Sequence, residues 1–198
     1  MARTSNSNGF RLASTTVRSF LVLTLILGIA YPLTVFGIGR IMLAQADGSI
    51  ITNSQGKTTG SSLLAQEVTK PGFFYPRPSA AGDNGFDAMS SSATNLSPYS
   101  KDLRKAIADK RAEVAAREGV SPGDVPVDAV TSSGSGLDPH ISSRYATLQT
   151  PRVARERGID QHQVRQMIAT ATETNFTGNA DGAPVNVVKL NQALSELK

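Results

Sequence analysis

The chain lacks cysteine and tryptophan altogether, and only two of its 198 residues are histidine. Without cysteine it forms neither a disulfide nor a thiolate metal site, so burial must hold the fold together. Acidic residues are also absent from the first 40 positions, where the only charges are Arg3, Arg11, Arg18 and Arg40. These arginines account for the whole formal net charge of +4, which leaves the rest of the chain neutral. Since nucleic-acid binding needs a concentrated basic face, this distribution excludes it.

The one long apolar run lies among these arginines and extends from Ser19 to Ile38. Its 20 residues carry no charge, and a helix of that length rises about 30 Å, the thickness of a bilayer's hydrocarbon core. The alternative is a cleaved signal peptide ending at the A-x-A sequence of residues 44–46. We favour a membrane anchor, because the apolar part of a signal peptide usually runs only about 7–15 residues. Pro32 offers no N–H to the carbonyl of Gly28, which predicts a kink there.

The charges on either side of this run predict its orientation. Three arginines precede it and one follows closely, so the positive-inside rule leaves the N-terminus in the cytoplasm. We expect a short basic cytoplasmic segment over residues 1–18, a transmembrane helix over 19–40 and an extracytoplasmic domain over 41–198. The predicted fold class is therefore a single N-terminal transmembrane helix followed by a small α+β extracytoplasmic domain.

Short strands and capped helices are predicted in the domain that follows. Turn signals and apolar runs predict strands at Ser49–Thr52, Val125–Thr131 and Pro184–Val188. Cap residues predict helices over Ser100–Glu118, from Thr150 and Pro151 to Gly158, from Asp160 onward, and from about Leu190. The aromatic segment Phe73–Tyr75 lies among three prolines within eight residues, which favours an extended path. Its three rings are either core or a patch that docks on a partner.

The stretch SGSGLDPHIS, residues 133–142, places serines, an aspartate and a histidine close together. A hydrolase elbow needs G-x-S-x-G, whereas residues 133–137 read S-G-S-G-L. The other histidine, His162, has no neighbours with metal-ligand spacing. The stretch instead favours a turn in which Gly134 and Gly136 permit positive φ and Ser142 caps the next helix. A functional contact loop is the alternative.

Several short motifs resemble, in order, the C subunit of the bacterial high-affinity potassium-transporting ATPase, the Kdp complex. The resemblance extends from about Tyr31 to Leu194. Each motif alone is weak, and the specificity lies in their order. They are Gly60–Gln66, Arg77–Ala80, Asn95-Leu96, Ser133–Ser142, Arg152–Ala154, Arg157-Gly158, Pro184–Val188 and Leu190-Asn191.

The resemblance implies a non-catalytic, single-pass subunit in the bacterial cytoplasmic (inner) membrane. Its partners would be a channel-like subunit that conducts K⁺, a P-type subunit that hydrolyses ATP, and at most one further small single-helix subunit. It also implies a catalytic chaperone that raises the ATP affinity of the ATP-hydrolysing subunit. The chain would need no cofactor or metal of its own, with ATP bound on that subunit or shared with it.

Direct contact with ATP conflicts with an extracytoplasmic domain, and we give more weight to the orientation because it rests on charge and length. If ATP is contacted, the candidates are Ser135, Gly136 and Gln149, by resemblance and loop chemistry. No catalytic residue is predicted. The alternative function is a membrane-anchored extracytoplasmic binding or enzyme domain unrelated to K⁺ transport.

The arginine asymmetry yields a testable orientation. A reporter enzyme that is active only outside the cytoplasm, fused after Lys198, is expected to be active while the chain stays in the membrane fraction. The same reporter fused before Met1 serves as the control and is expected to be inactive. A soluble product beginning at Asp47 would instead identify a cleaved signal peptide.

Overall fold

The computed structural model describes residues 7–173 and 183–197. It divides into two compact units, Met1–Ser49 and Ile50–Lys198. Arg3, one of the three arginines that precede the apolar run, lies outside the described residues.

The first unit is mainly one long helix. Helix α1 spans Ser7–Leu25, a π-helical turn follows at Ile26–Ala30, and α2 continues over Tyr31–Ile41. The stretch Gly9–Ile41 is the one helix among the described residues that is long and apolar enough to cross a membrane. None of its most apolar 18-residue segment is buried within the protein. The prediction of a single N-terminal spanning helix is therefore confirmed, and the helix already begins within the predicted basic segment. A short helix, α3, follows at Leu43–Ala46.

The irregularity that Pro32 predicts in this helix is present as the π-helical turn at Ile26–Ala30. In this turn the amide of Tyr31 donates to the carbonyl of Ile26, five residues earlier rather than four. Proline has no N–H to donate and its ring crowds the carbonyl four residues back, so the preceding turn must widen. Single π turns of this kind are a recognised origin of irregularity in long helices.

Over its described residues, 50–173 and 183–197, the second unit has four α-helices and two small antiparallel sheets. The helices are α4 (Lys101–Glu118), α5 (Ser143–Arg157), α6 (Gln161–Ala171) and α7 (Val187–Glu196). Strand β1 (Ile50–Thr52) pairs with β2 (Thr58–Ser61), and β3 (His140–Ile141) pairs with β4 (Val185–Asn186). In these sheets Ile51 lies opposite Gly60, and His140 lies opposite Asn186. The predicted α+β class is confirmed.

Most predicted caps are present. The Ser100 hydroxyl accepts hydrogen bonds from the amides of Asp102 and Leu103 at the start of α4, and Gly119 ends that helix at a φ of 70°. The side chain of Asp160 accepts from the amide of His162 and begins α6. Helix α5 ends at Gly158, also with positive φ. Each satisfies a backbone group that a helix end leaves without an internal partner.

Three boundary predictions were wrong. Val125–Thr131 forms no strand: one 3-10 turn, Val127–Ala129, lies within it and another, Pro122–Asp124, directly precedes it, each beginning at or just after a proline. Thr150 and Pro151 do not begin a helix but lie inside α5, which Ser142 caps eight residues earlier. Tertiary packing of that helix overrides the proline signal.

The predicted strand Pro184–Val188 shrinks to Val185–Asn186. Asn186 lies at the end of β4, and its side-chain oxygen accepts hydrogen bonds from the amides of Val188 and Lys189. Asparagine is among the strongest N-caps, so the chain turns into α7 immediately after it.

The core of the second unit forms around α5. Buried apolar side chains from all four helices, from β3 and β4 and from the intervening turns meet in one cluster. Within the aromatic segment Phe73–Tyr75, Phe74 is fully buried and Phe73 packs against the cluster. The segment has no helix or strand of its own. The core position of Phe74 is therefore confirmed, and the extended path stays a prediction.

Candidate functional site

The loop of residues 133–142 is held by its own backbone carbonyls. Three consecutive carbonyls accept hydrogen bonds from three separate segments of the chain. The Ser135 carbonyl accepts from the Ser92 amide at 3.0 Å and from the Ser91 hydroxyl at 3.0 Å. The Gly136 carbonyl accepts from Ser79 Oγ at 2.6 Å, and the Leu137 carbonyl from the Ala65 amide at 2.8 Å. The loop is thus fixed in place without belonging to a sheet at these positions.

Gly136 is buried at the centre of these contacts with a φ of 70°. A Cβ built on it would lie 2.6 Å from the carbonyl oxygen of Ser92 and 2.8 Å from the amide nitrogen of Ala81. Both neighbours are backbone atoms and cannot rotate away. The predicted positive φ at Gly136 is confirmed, and close backbone approach adds a second reason for glycine. Gly134 does not adopt a positive φ.

The serine hydroxyls of this loop bond to the loop itself. Ser135 Oγ accepts from the Leu137 amide at 3.1 Å and lies 3.3 Å from Ser133 Oγ. Ser135 is exposed and lines an open hollow of about 620 Å³, together with Leu63, Leu64 and other loop residues. Among the described residues this hydroxyl group bonds to Ser133 and Leu137, and to no base that could activate it as a nucleophile.

His140 is bound by two carboxylates rather than by a serine. Its Nδ1 lies 2.9 Å from Asp138 Oδ1, and its Nε2 lies 3.0 Å from Glu173 Oε2. Glu173 also accepts a hydrogen bond from Lys189 Nζ at 2.7 Å. That bond, with a smaller contribution from His140, outweighs burial and lowers the pKa of Glu173 below its ordinary value. Since both ring nitrogens are occupied, the histidine does not complete a Ser–His pair.

Gln149 lies apart from this loop's hydrogen bonds and binds the aromatic segment. Its side-chain oxygen accepts from the Tyr75 amide at 2.8 Å, and its Nε2 donates to the Tyr75 carbonyl at 3.1 Å. Asn191 of α7 makes the same reciprocal pair with Phe74, at 2.8 Å and 2.9 Å. Two amide side chains thus bond consecutive backbone residues as a neighbouring strand would. Gln149 is fully buried, so these bonds occupy it within the domain.

A buried ion pair completes the attachment of the aromatic segment. Arg152 Nε lies 3.1 Å and 2.9 Å from the two carboxylate oxygens of Glu118, and the two side chains are 4% and 0% exposed. The guanidinium of Arg152 also donates to Gln149 Oε1 at 2.7 Å and to the carbonyls of Pro71 and Phe73. It lies 4.8 Å from the Tyr75 ring, and Arg117 lies 4.0 Å from the same ring.

Tyr145 on α5 extends this polar cluster into the core. Its hydroxyl oxygen accepts a hydrogen bond from Arg117 at 2.9 Å, and burial raises the pKa of Tyr145 to about 12. The tyrosine therefore stays neutral at physiological pH. Sequence reasoning did not find the Arg152–Glu118 pair, although Arg152 lies in one of the motifs that carry the resemblance. No spacing rule joins an arginine to a glutamate 34 positions away.

Of the three residues predicted to contact ATP, the structure places Ser135 and Gly136 in the loop and Gln149 on α5 under Tyr75. ATP contact by these residues stays a prediction, and of the three only Ser135 has an exposed position. Within residues 7–173 and 183–197, no group of three or more histidine, aspartate or glutamate side chains could hold a metal ion.

An apolar helix long enough to cross a membrane, followed by a small α+β domain, is an arrangement typical of single-pass membrane proteins. The family model for the K⁺-transporting ATPase, c chain, matches residues 13–196. The chain therefore belongs to the KdpC family.

Curated relatives resemble the chain along almost its whole length. It is 46% identical to the potassium-transporting ATPase KdpC subunit of Kineococcus radiotolerans over 188 residues, which cover 95% of each chain. The subunit of the same name from Polaromonas naphthalenivorans is 46% identical, over 90% of this chain and 91% of the relative. The subunit of that name from Mycobacterium tuberculosis is 45% identical, over 89% and 94% respectively.

The two loop glycines provide a matched test of the backbone argument. We expect Gly136→Ala to destabilise the second unit strongly, because its Cβ would meet two backbone atoms below 3.0 Å at a positive φ. Gly134→Ala is the control, since a Cβ there has open space around it. Chemical unfolding of the full chain in detergent, followed by circular dichroism, measures both. Equal stability of the two variants would contradict the argument.

The buried amide of Gln149 provides a second test. Gln149→Met keeps the length of the side chain but leaves the Tyr75 amide and carbonyl without their partner, which is expected to destabilise the fold by about 1–3 kcal/mol. The matched control is Gln163→Met at an exposed position of α6. The same unfolding experiment compares them. A Gln149 variant as stable as its control would show that these bonds do not hold the segment.

Proposed function

We propose that the chain is an accessory, non-catalytic subunit of a K⁺-transporting ATPase complex. The observation that carries this proposal is the family match over residues 13–196, which includes both the apolar helix and the domain. The partners we propose are a channel-like K⁺-conducting subunit, a P-type ATP-hydrolysing subunit and a small single-helix subunit. The unrelated binding or enzyme domain is disfavoured because relatives named as subunits of this ATPase align over about nine-tenths of the chain.

The non-catalytic part of the proposal is supported by the bonding of the polar side chains in the loop. The two groups that could have formed a nucleophile and its base are His140 and the neighbouring serines. Both ring nitrogens of His140 face carboxylates, and Ser135 Oγ bonds to Ser133 and Leu137. A nucleophilic serine needs a base within hydrogen-bond reach, and this geometry does not provide one.

We place the domain outside the cytoplasm and the N-terminus inside it. Arg11 and Arg18 precede the apolar run, Arg40 closely follows it, and the first acidic residue is Asp47. This excess of arginine on the N-terminal side supports the orientation. The helix Gly9–Ile41 is long enough for a spanning segment with polar residues at its ends.

A role in raising the ATP affinity of the ATP-hydrolysing subunit would then be indirect. From outside the cytoplasm the domain acts on ATP only by favouring one conformation of its partners, and a ligand or subunit does this through its differential affinity for the two states. The buried bonds of Gln149 support this indirect route over direct contact. Ser135, exposed beside a hollow with Leu63 and Leu64, is better suited to a partner contact.

Purification of the complex tests this function. A tagged chain expressed in its own bacterium under K⁺ limitation is expected to co-purify with a P-type ATPase subunit and a channel-like subunit. Membranes that lack the chain are expected to lose K⁺-stimulated ATP hydrolysis. Recovery of the chain without such partners, or undiminished hydrolysis in its absence, would refute the proposed function.

The variant Ser135→Ala, in the same complex, distinguishes direct contact with ATP from an indirect effect on ATP affinity. If action is indirect, the ATP concentration for half-maximal hydrolysis should be unchanged, as in the control Ser195→Ala on α7. A raised ATP requirement confined to the Ser135 variant, with assembly intact, would establish direct nucleotide contact instead.

A further inference from the structure

Five side chains of alternating charge form a continuous chain across the second unit. Arg77 Nη1 lies 3.7 Å from Asp138 Oδ2, and Asp138 Oδ1 lies 2.9 Å from His140 Nδ1. His140 Nε2 lies 3.0 Å from Glu173 Oε2, and Glu173 Oε1 lies 2.7 Å from Lys189 Nζ. This charge chain, Arg77–Asp138–His140–Glu173–Lys189, joins the segment after the aromatic residues, the loop, the end of α6 and the start of α7.

His140 is the central link, and both of its contacts require a hydrogen on the ring. Ionised carboxylates only accept hydrogen bonds, so two ring nitrogens that both face carboxylate oxygens must both donate. Only the imidazolium form meets this condition. In the neutral ring one nitrogen presents a lone pair to a carboxylate, and that contact becomes repulsive.

The other charged groups around His140 belong to four further elements. Glu173 follows α6, Lys189 lies on α7, and Arg77 reaches the loop from the chain before it. Asp128, from the second 3-10 turn, accepts from the amide and hydroxyl of Ser142 and lines a hollow with His140. The lowered pKa of Glu173 keeps its carboxylate charged well below neutral pH. Histidine is the link in this chain whose type ordinarily changes charge between about pH 5 and 8.

We propose that His140 is a pH-sensitive tie between the loop of residues 133–142 and the chain at the end of α6. While the ring is charged, it bridges Asp138 and Glu173. As the pH rises and the ring loses a proton, Nδ1 keeps the hydrogen that faces Asp138, whose Oδ1 also accepts from the His140 amide. The bridge from Nε2 to Glu173 is then lost, and the end of α6 is released from the loop. The proposal rests on these contacts and is independent of the proposed transport function.

The backbone contacts around Glu173 show which part of the fold would open if the bridge from His140 were lost. The amide of Glu173 donates to the Pro184 carbonyl at 2.8 Å, and Thr172 forms an isolated bridge with Val185. Asn186 Nδ2, which lies 3.3 Å from Glu173 Oε1, also donates to the Ser62 carbonyl at 2.9 Å. Opening is therefore expected where Thr172 and Glu173 pair with Pro184 and Val185, rather than throughout the unit.

Hydrogen exchange of the full chain in detergent tests the tie between pH 5.5 and 8. We measure the amide of Glu173, corrected for intrinsic exchange, and compare it with the amide of Val164, which bonds to Asp160 in α6. Exchange at Glu173 is expected to become about two- to fivefold faster at the higher pH, the range expected for partly exposed ion pairs. Exchange at Val164 is expected to stay constant.

Variants test whether the pH dependence of exchange at Glu173 is caused by the His140 imidazole. His140→Gln is expected to abolish the pH dependence at Glu173, whereas His162→Gln, at an exposed position of α6, should retain it. If His140→Gln does not fold, Glu173→Gln removes the same bridge and is expected to give the same loss. In His162→Gln the single remaining histidine ring, observed by nitrogen NMR, should carry hydrogens on both nitrogens at pH 5.5. No pH dependence in the unmodified chain, the same dependence in His140→Gln, or a singly protonated ring at pH 5.5 would overturn the proposal.

Discussion

The buried guanidinium of Arg152 is the contact on which the second unit most depends. It joins Glu118 of α4, Gln149 of α5 and two carbonyls of the chain around the aromatic segment, with almost no exposure to water. A buried ion pair gives little net stability by itself, because both ions lose hydration. Its importance here is that the three nitrogens of the Arg152 guanidinium donate to different parts of the chain: Nε to Glu118, Nη2 to Gln149, and Nη1 to the carbonyls around the aromatic segment. The pair therefore specifies which pieces of chain meet, and Phe74 then fills the core beside them.

Side chains also provide backbone hydrogen-bond partners that a larger sheet would otherwise supply. The strands of this unit are two to four residues long, so much extended backbone has no strand partner. Buried backbone groups without partners are rare in folded proteins. In the aromatic segment Gln149 and Asn191 supply those partners, and in the loop Ser79 and Ser91 do so. A chain without disulfides and with few aromatics thus fixes its irregular segments by polar contacts.

The sequence predicted what depends on neighbouring residues and missed what depends on distant ones. The caps at Ser100, Ser142 and Asp160, and the positive φ of Gly136, follow from local chemistry and were found. Thr150 and Pro151 misled the prediction because their local signal is real, but burial of Gln149 and Val153 on the same helix outweighs it. The ion pair between Arg152 and Glu118 and the carboxylates around His140 depend on which segments the fold brings together. Periodicity and spacing carry no information about those contacts.

The same distinction bears on how the domain could act on a partner. The residues that the family resemblance suggested as ATP contacts are of two kinds: some are buried and hold the fold together, and others face solvent. Gln149 is enclosed by Tyr75 and Arg152, whereas Ser135 is exposed although its carbonyl is fixed by Ser91 and Ser92. A contact surface that is rigid before binding loses less conformational entropy when a partner docks. Gly136, whose Cβ position is closed off by two backbone atoms, therefore helps to fix the backbone beside the exposed Ser135.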